Sequence, residues 1–197
     1  MSTQPSTSIH CVRAQGFTLI EVLVVIAISA ILIAIAVPAF NASIARAKTT
    51  DAANSLLAAV ELARSEAIRR SVNVSVCRVQ STVTPSCSTA AVGANYASGD
   101  WAAGWAVFAE TNTAGAIGTI DTLEPIVAVQ DAFPEAAAPR AGILEAASAG
   151  VFTFAPDGTR VGGGALSFNV TYPQAELGAA QVTRTVNVSI LGQVSIN

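Results

Sequence analysis

The chain has 197 residues, of which 52% are hydrophobic and 12% are charged, and its formal net charge is −3. This length fits one domain with an appended segment. The composition lies well to the apolar side of a soluble globular domain, in which about 25% of the residues are charged.

The apolar excess is concentrated near the N-terminus. From Phe17 to Phe40 the only polar residues are Thr18, Glu21 and Ser29. As a helix this run would be about 36 Å long, enough to cross a hydrocarbon core about 30 Å thick. A buried helix of a soluble protein is seldom so long. A secretory signal peptide has a shorter apolar region that ends at a small-residue cleavage site, which this run lacks. The sequence therefore predicts a membrane span.

Helical spacing continues after the apolar run. Between Ala53 and Ile68, apolar residues recur at i, i+3, i+4 and i+7, and most charged residues lie elsewhere around the helix. Glu66 and Arg70 are spaced as an i,i+4 ion pair. The sequence therefore predicts that one helix runs from about residue 17 to about residue 70.

Pro38 lies where two different halves of this predicted helix meet. The half at 17–40 is apolar on all sides, and the half at 41–71 is amphipathic. Proline removes an intrahelical hydrogen bond, so we expect the helix to bend at Pro38.

After the helix, alternating apolar and polar residues predict a series of β-strands. Residues 80–103 are rich in Ser, Thr, Gly and Ala and predict a loop, and the alanine-rich segment 131–150 is predicted to be irregular. The fold class is therefore α+β, with a long N-terminal helix packed against a mostly antiparallel β-sheet head. The predicted strands lie within 72–79, 104–110, 124–130, 151–160, 165–172, 182–190 and 192–196.

The three cysteines are Cys11, Cys77 and Cys87. If the chain is cut after Gly16, Cys11 is lost and an even pair remains across the Ser/Thr-rich loop. In an oxidising compartment such a pair most simply forms a disulfide; the alternative is two unrelated thiols. A metal site is disfavoured, because the only histidine, His10, precedes the cut.

The segment "GFTLIEVLVVIAISAILIAIAVPAF" at 16–40 resembles the class III signal of type IV prepilins and pseudopilins. The shared features are glycine, phenylalanine, threonine, leucine, a glutamate fifth in the mature chain, and an apolar run that reaches a proline. The resemblance implies that a prepilin peptidase removes a leader at 1–16 by cleaving after Gly16, and N-methylates the new terminal Phe17. It also implies an anchor in the bacterial inner membrane, with the leader in the cytoplasm and the head at 72–197 in the periplasm.

Three further segments resemble the minor-pilin group called GspH/FimT. They are "LLAAVELARSEAIRRSVNVSVC" at 56–77, "WAAGWAVF" at 101–108 and "FTFAPDGT" at 152–159. The resemblance implies a type IV pilin-like fold and a structural role in a type II secretion pseudopilus or a type IV pilus, in its tip or priming complex. The implied partners are the inner membrane, other pilins or pseudopilins, the prepilin peptidase/methyltransferase and the assembly platform.

Glu21 disfavours insertion of the span into a membrane, since an acidic side chain at mid-helix raises the free energy of insertion by about 3 kcal/mol. Cleavage would give Phe17 a free amine. The resemblance implies that Glu21 pairs with this amine, in a neighbouring subunit or the same one, during assembly, and a paired charge in a packed bundle is tolerable. The alternative is that Glu21 only reaches the membrane interface from the end of the helix.

The sequence predicts neither an enzyme nor a cofactor. After Gly16 there is no histidine, Gly-x-Ser-x-Gly elbow, phosphate-binding glycine loop or metal-ligand spacing. Trp101 and Trp105 could suggest a carbohydrate platform, but their spacing at a strand edge is more typical of core and rim. Six carboxylates are spread through the head in a pattern typical of solvated groups: Asp100, Glu110, Asp121, Glu124, Asp131 and Glu135.

The alternative function is a ligand-binding subunit that a fibre displays for DNA uptake or surface adhesion. Some relatives in this branch are thought to hold DNA near a C-terminal Gly-Arg-x-Arg pattern, but residues 192–195 here read Gly-Gln-Val-Ser. Residues 81–197 carry three arginines and nine acids, a net charge of −6, which repels a polyanion. The sequence therefore favours a structural subunit and disfavours DNA as a partner. It leaves open whether that subunit serves a pilus or a secretion system.

Overall fold

A computed structural model describes residues 17–79, 84–87, 101, 104–112, 116–121, 123–131, 142–145, 150–172 and 182–197. The chain divides into two compact units, residues 1–39 and residues 40–197. Within the described ranges it forms one helix and eight strands: α1 (Leu19–Arg70), β1 (Val74–Arg78), β2 (Gly104–Ala109), β3 (Ile126–Asp131), β4 (Gly142–Glu145), β5 (Val151–Phe154), β6 (Leu166–Tyr172), β7 (Val182–Val188) and β8 (Val194–Ile196).

In the first unit, helix α1 begins with a side-chain cap. Thr18 Oγ1 accepts a hydrogen bond from the Glu21 amide over 3.3 Å, and the Thr18 carbonyl accepts one from Val22 over 3.3 Å. Thr-x-x-Glu is the pattern of a capping box. The most apolar 18-residue window of α1 has a mean hydropathy of 3.0 and none of it is buried, so this helix is long and apolar enough to cross a membrane. Pro38 lies within α1, and the bend expected there stays a prediction.

In the second unit, the remainder of α1 supplies one wall of the hydrophobic core. Most of its buried residues are alanines, whose small side chains allow close packing against the sheets. Ile68 was predicted on this buried face, but its side chain is half exposed near the end of the helix, where it contacts only the turn at Gly158 on one side. The buried residues of α1 are Ala45, Thr49, Ala52, Ala53, Leu56, Ala59, Val60, Ala63 and Ala67.

The strands form two four-stranded sheets in which every pair of neighbours is antiparallel. The first sheet has the order β3-β2-β1-β5 and the second the order β4-β6-β7-β8. In the first sheet Val76 lies opposite Val107 on one side and Phe152 on the other. Side chains of both sheets join those of α1 in one core. The predicted α+β fold, a long helix with a mostly antiparallel head, is therefore confirmed.

One strand was missed in the segment that was predicted to be irregular. Strand β4, residues 142–145, pairs with β6 so that Ile143 lies opposite Val170. Its four residues are too few to alternate visibly among so many alanines, and the pairing with β6 decides their conformation. The rest of 132–149 lies outside the described residues.

Trp101 and Trp105 are both in the core, so the carbohydrate platform is excluded, and neither residue is at the rim. Their exposed fractions are 0% and 2%. The ring centre of Trp101 lies 5.6 Å from that of Phe152 and 5.3 Å from that of Phe168. Phe152 belongs to the first sheet and Phe168 to the second, so Trp101 packs between the two sheets.

Candidate functional site

The first candidate site is the N-terminal turn of α1. Glu21 is the third residue of the helix, one turn from Phe17, the first described residue. A carboxylate in the first turn of a helix is favoured by the positive end of the helix dipole. The two residues share an open cavity of about 220 Å³ whose other lining residues are Val22, Val25 and Ile26. A charged group therefore lies among exposed apolar side chains, next to the position where processing would create an amine.

The structure does not test the expected cleavage after Gly16, because Gly16 lies outside the described residues. Phe17 is 80% exposed, so its side chain makes few contacts with the rest of the chain. Cleavage after Gly16, N-methylation of Phe17 and the pairing of its amine with Glu21 stay predictions.

Cys77 and Cys87 form a disulfide, with their Cα atoms 5.5 Å apart. Cys77 lies in β1 and is fully buried. Next to it, Val79 and Cys87 form an isolated antiparallel bridge. The disulfide side of the first sheet carries a second small apolar cluster that includes Ala106 and Phe108, so the bond holds residue 87 against that face.

A group of carboxylates on loop 110–124 is bonded to the first sheet. Glu110 Oε1 accepts hydrogen bonds from Ser75 Oγ at 2.5 Å and from the Gly118 amide at 2.6 Å. Ser75 Oγ also lies 2.6 Å from Thr153 Oγ1. The expectation that the head carboxylates are simply solvated is therefore wrong for Glu110, which fixes the loop to β1 and β5.

Glu124 departs further from that expectation, since its exposed fraction is only 7%. Its Oε2 accepts a hydrogen bond from the Asp121 amide over 3.1 Å. Burial raises the pKa of Glu124, and the nearby carboxylates of Glu110 and Asp121 raise it further. Within the described ranges, no three Asp, Glu, His or Cys side chains are arranged to hold a metal ion.

Of the other four carboxylates named from the sequence, Asp121 is partly buried and accepts hydrogen bonds from Asn112 Nδ2 and from the Leu123 amide. Asp131 is exposed at the end of β3. Asp100 and Glu135 lie outside the described residues.

A third feature joins α1 to two turns of the head. Arg64 Nε donates a hydrogen bond to the Gly158 carbonyl over 3.2 Å, and the Arg160 amide donates one to the Ile190 carbonyl over 2.9 Å. Beside this junction lies an open groove of about 710 Å³. It is lined by Glu61, Arg64, Ala165, Asn187, Val188, Ser189, Gln193, Val194 and Ser195. Sequence reasoning did not single out this groove, because residues far apart in the chain form it.

Comparison with known families identifies the chain. The family described as "Type II transport protein GspH" matches residues 52–192. The chain belongs to the GspH family. The family described as "Prokaryotic N-terminal methylation motif" matches residues 11–37, which include Gly16, Phe17 and Glu21. The GspH-family chain is thus a minor pilin or pseudopilin with a prepilin-type N-terminus, as its sequence predicted. No curated protein sequence matches it significantly.

Solved structures support the fold of this GspH-family chain. Two crystal structures of the type IV minor pilin FimU of Pseudomonas aeruginosa (strain PAO1), in space groups P21 and P65, resemble it with 18% sequence identity. The first has a TM-score of 0.52 and covers 77% of this chain and 90% of FimU. The second has a TM-score of 0.50 and covers 75% and 91%. At this identity the likeness shows the pilin fold alone.

Proposed function

We propose that this chain is an assembly subunit in the tip or priming complex of a type IV pilus or a type II secretion pseudopilus. It would be anchored once in the bacterial inner membrane with its head in the periplasm, after cleavage at Gly16 and N-methylation of Phe17. The observation that carries the proposal is that one helix, Leu19–Arg70, begins in the methylation motif and ends in the core of a GspH head.

The first turn of α1 supports assembly as the role of Glu21. After cleavage, the amine of Phe17 and the carboxylate of Glu21 would carry opposite charges on one apolar helix end. In a low-dielectric environment each charge is costly unless it is paired. Packing several such helices together would bring an amine from one subunit to the carboxylate of another, so the pairing would favour the assembled state.

A structural role also fits the chemistry of the head. The carboxylates that the structure brings together hold a loop on the first sheet, and their partners are a hydroxyl and backbone amides. A structural subunit is therefore supported over an enzyme. The net charge of −6 over residues 81–197 also opposes DNA binding as the main function.

The proposal is tested by deleting the gene in its host and restoring it with the wild-type sequence. Surface fibres are counted after shearing, and proteins released into the medium are measured in the same cultures. Loss of fibres would assign the chain to a pilus, and loss of released proteins would assign it to a secretion system. Membranes from the restored strain are then cross-linked and the chain is recovered with an antibody. We expect other pilin-like proteins to be recovered with it. A processed chain that is recovered alone, in a strain whose deletion changes neither property, would contradict the proposal.

A further inference from the structure

Segment 116–121 of loop 110–124 covers part of the outer face of the first sheet. The opposite face of this sheet joins α1 and the second sheet in the main core. On the outer face, Ile120 packs against a cluster that contains the fully buried side chain of Phe108. Since both faces are covered, all residues of β1 and β2 are buried. The segment therefore separates an apolar face of the head from solvent.

The two ends of loop 110–124 bring two glutamates side by side. The register of β2 and β3 continues into the loop, because the Ala109 amide donates to the Pro125 carbonyl over 3.1 Å. The next pair of opposed residues is Glu110 and Glu124, and directly opposed side chains lie about 5 Å apart at their Cβ atoms. Like charges in such positions are destabilising. The pairing therefore disfavours two ionised carboxylates.

The same two glutamates hold segment 116–121 by its backbone. The Gly118 amide donates to Glu110 Oε1 over 2.6 Å, and the Asp121 amide donates to Glu124 Oε2 over 3.1 Å. The apolar contact made by the segment lies between these two amides in the chain. The position of the segment on the sheet therefore depends on both carboxyl groups.

Glu124 lacks a donor for its second carboxyl oxygen. Its Oε1 is buried and accepts no hydrogen bond within the described part of the chain. Burial raises the pKa of Glu124 most, and the carboxylates of Glu110 and Asp121 raise it further, whereas no basic side chain of the described ranges lowers it. Strand β1 faces the pair with the hydroxyl of Ser75, and strand alternation places its only basic residue, Arg78, on the opposite face. Strand β5 has no charged residue. No described cation therefore compensates an ionised Glu124.

A proton on Glu124 Oε1 compensates both the charge and the missing partner. The protonated oxygen becomes a donor, and the Glu110 carboxylate accepts its hydrogen bond, which itself raises the pKa of Glu124. Glu110 is the acceptor of the pair because its other partners, the Ser75 hydroxyl and the Gly118 amide, are both donors. With one shared proton, the pair carries a single negative charge instead of two.

We propose that the proton shared by Glu110 and Glu124 keeps segment 116–121 on the first sheet, and that loss of this proton at higher pH releases the segment. Release lets both ionised carboxylates reach water, which relieves their repulsion and the cost of burying a charged Glu124. The two amide hydrogen bonds of the segment break in the same step, and its apolar contact with the cluster at Phe108 is lost. The head therefore covers an apolar face at low pH and exposes it at high pH.

Hydrogen–deuterium exchange of the full-length chain in detergent micelles, read by mass spectrometry, tests this release at pH 5 and pH 8. Each rate is corrected for the intrinsic effect of pH on exchange. We expect segment 116–121 of the wild type to exchange about tenfold faster at pH 8. Glu124→Gln carries an N–H donor at every pH, so its segment should exchange equally at both. The matched control, Glu61→Gln, makes the same change at an exposed residue of α1 and should keep the wild-type difference. Equal rates in the wild type, or the wild-type difference in Glu124→Gln, would overturn the proposal.

Two further measurements on the wild type exclude other causes of faster exchange. Fragments of β6 and β7 should exchange equally slowly at both pH values. Faster exchange there at pH 8 would mean general unfolding of the head and would overturn a local release. The exchange at pH 8 is also measured with calcium chloride and with EDTA, and we expect neither to change it. If calcium slows the exchange of segment 116–121 and EDTA reverses this, a cation rather than a proton neutralises the pair, and the proposal is wrong.

Discussion

Arg64 Nε donates a hydrogen bond of 3.2 Å to the carbonyl oxygen of Gly158, 94 residues further along the chain. Gly158 lies in the turn that follows β5 of the first sheet. The Arg160 amide in turn binds the Ile190 carbonyl, in the turn between β7 and β8 of the second sheet. The Arg64 side chain of α1 therefore binds at the junction where a turn of the first sheet contacts a turn of the second.

Gly192 lies at this junction, and we expect Gly192→Ala to destabilise the head. Its φ of 75° is left-handed, and a Cβ there would collide with the Gly158 carbonyl oxygen and lie 2.9 Å from Arg64 Nε. A left-handed residue with a Cβ costs about 1–2 kcal/mol, and the collision adds to it. We expect a loss of at least about 2 kcal/mol, which lowers the melting temperature by about 4–8 °C.

The matched control for this variant is Gly163→Ala. Gly163 has a φ of 87°, but a Cβ there would meet nothing within 4 Å. Its cost should be limited to the left-handed backbone conformation, about 1–2 kcal/mol. Thermal denaturation of both variants, followed by circular dichroism, compares them. Equal melting temperatures would show that the contact between the turns does not contribute to stability.

Glu124→Gln should stabilise the head at neutral pH. Burial raises the pKa of Glu124, so its contribution to stability is fully present below the unfolded pKa, near 4.5, and is lost as the pH rises through the folded pKa. Glutamine stays neutral and can donate a hydrogen bond where the protonated acid would. We therefore expect a higher melting temperature than wild type at pH 7–8 and an equal one at pH 4.

Glu66→Gln serves as the comparison for Glu124→Gln. We expect the difference in melting temperature between this variant and the wild type to depend on pH in the opposite way. Hydrogen bonds from Arg69 and Arg70, at 2.5 Å in the closest contacts, lower the pKa of Glu66 to about 2. Its small stabilisation is present above the unfolded pKa and is lost as the pH falls toward 2. A Glu124→Gln variant that melts below wild type at pH 8 would contradict the assigned cause of the raised pKa.

The disulfide gives a third prediction. Closing the short loop between Cys77 and Cys87 is expected to stabilise the head by about 2–3 kcal/mol. In freshly prepared periplasmic protein, neither cysteine should react with a thiol label until a reductant is added. The double variant Cys77→Ala/Cys87→Ala should have a lower melting temperature than the wild type. If both thiols label fully without reductant, the bond is absent in the cell.

The hydrophobic pattern was enough to predict the helix and seven of the eight described strands. A long apolar run followed by a 3.6-residue repeat indicated the helix, and alternating residues or short apolar runs indicated the strands. The pattern failed for β4, whose four residues are too short to show a period. It also failed for Glu110 and Glu124. These lie 14 residues apart in a loop, and only the folding of that loop onto Ser75 brings them together.

Processing gives a fourth prediction. The motif at Gly16 and Phe17 predicts that the membrane-extracted chain contains residues 17–197 with one added methyl group. Intact-mass spectrometry measures this directly, and Gly16→Ala should retain the leader. A wild-type chain that still carries Cys11, or one trimmed near Ala42, would contradict the prepilin interpretation of the N-terminus.

Glu21→Ala should prevent entry into the fibre while the head stays folded. The core of the head is formed by α1 from Ala45 onward and by both sheets, so residue 21 contributes nothing to it. Removing the carboxylate should also ease insertion into the membrane. In the fibre, however, the amine of another subunit's Phe17 would lose its counter-charge in a low-dielectric setting.

Two further variants separate this role from the capping of α1. Thr18→Ala removes the hydroxyl that accepts the Glu21 amide but keeps the carboxylate, so it should lower helix stability by about 1 kcal/mol and still enter the fibre. Glu21→Gln keeps the size of the side chain without its charge, so it should fail as Glu21→Ala does. Protease resistance of the head and the amount of chain in sheared fibres are measured for each. If Glu21→Ala reaches the wild-type amount in the fibre, the carboxylate has no part in assembly, and its position near the membrane interface explains it better.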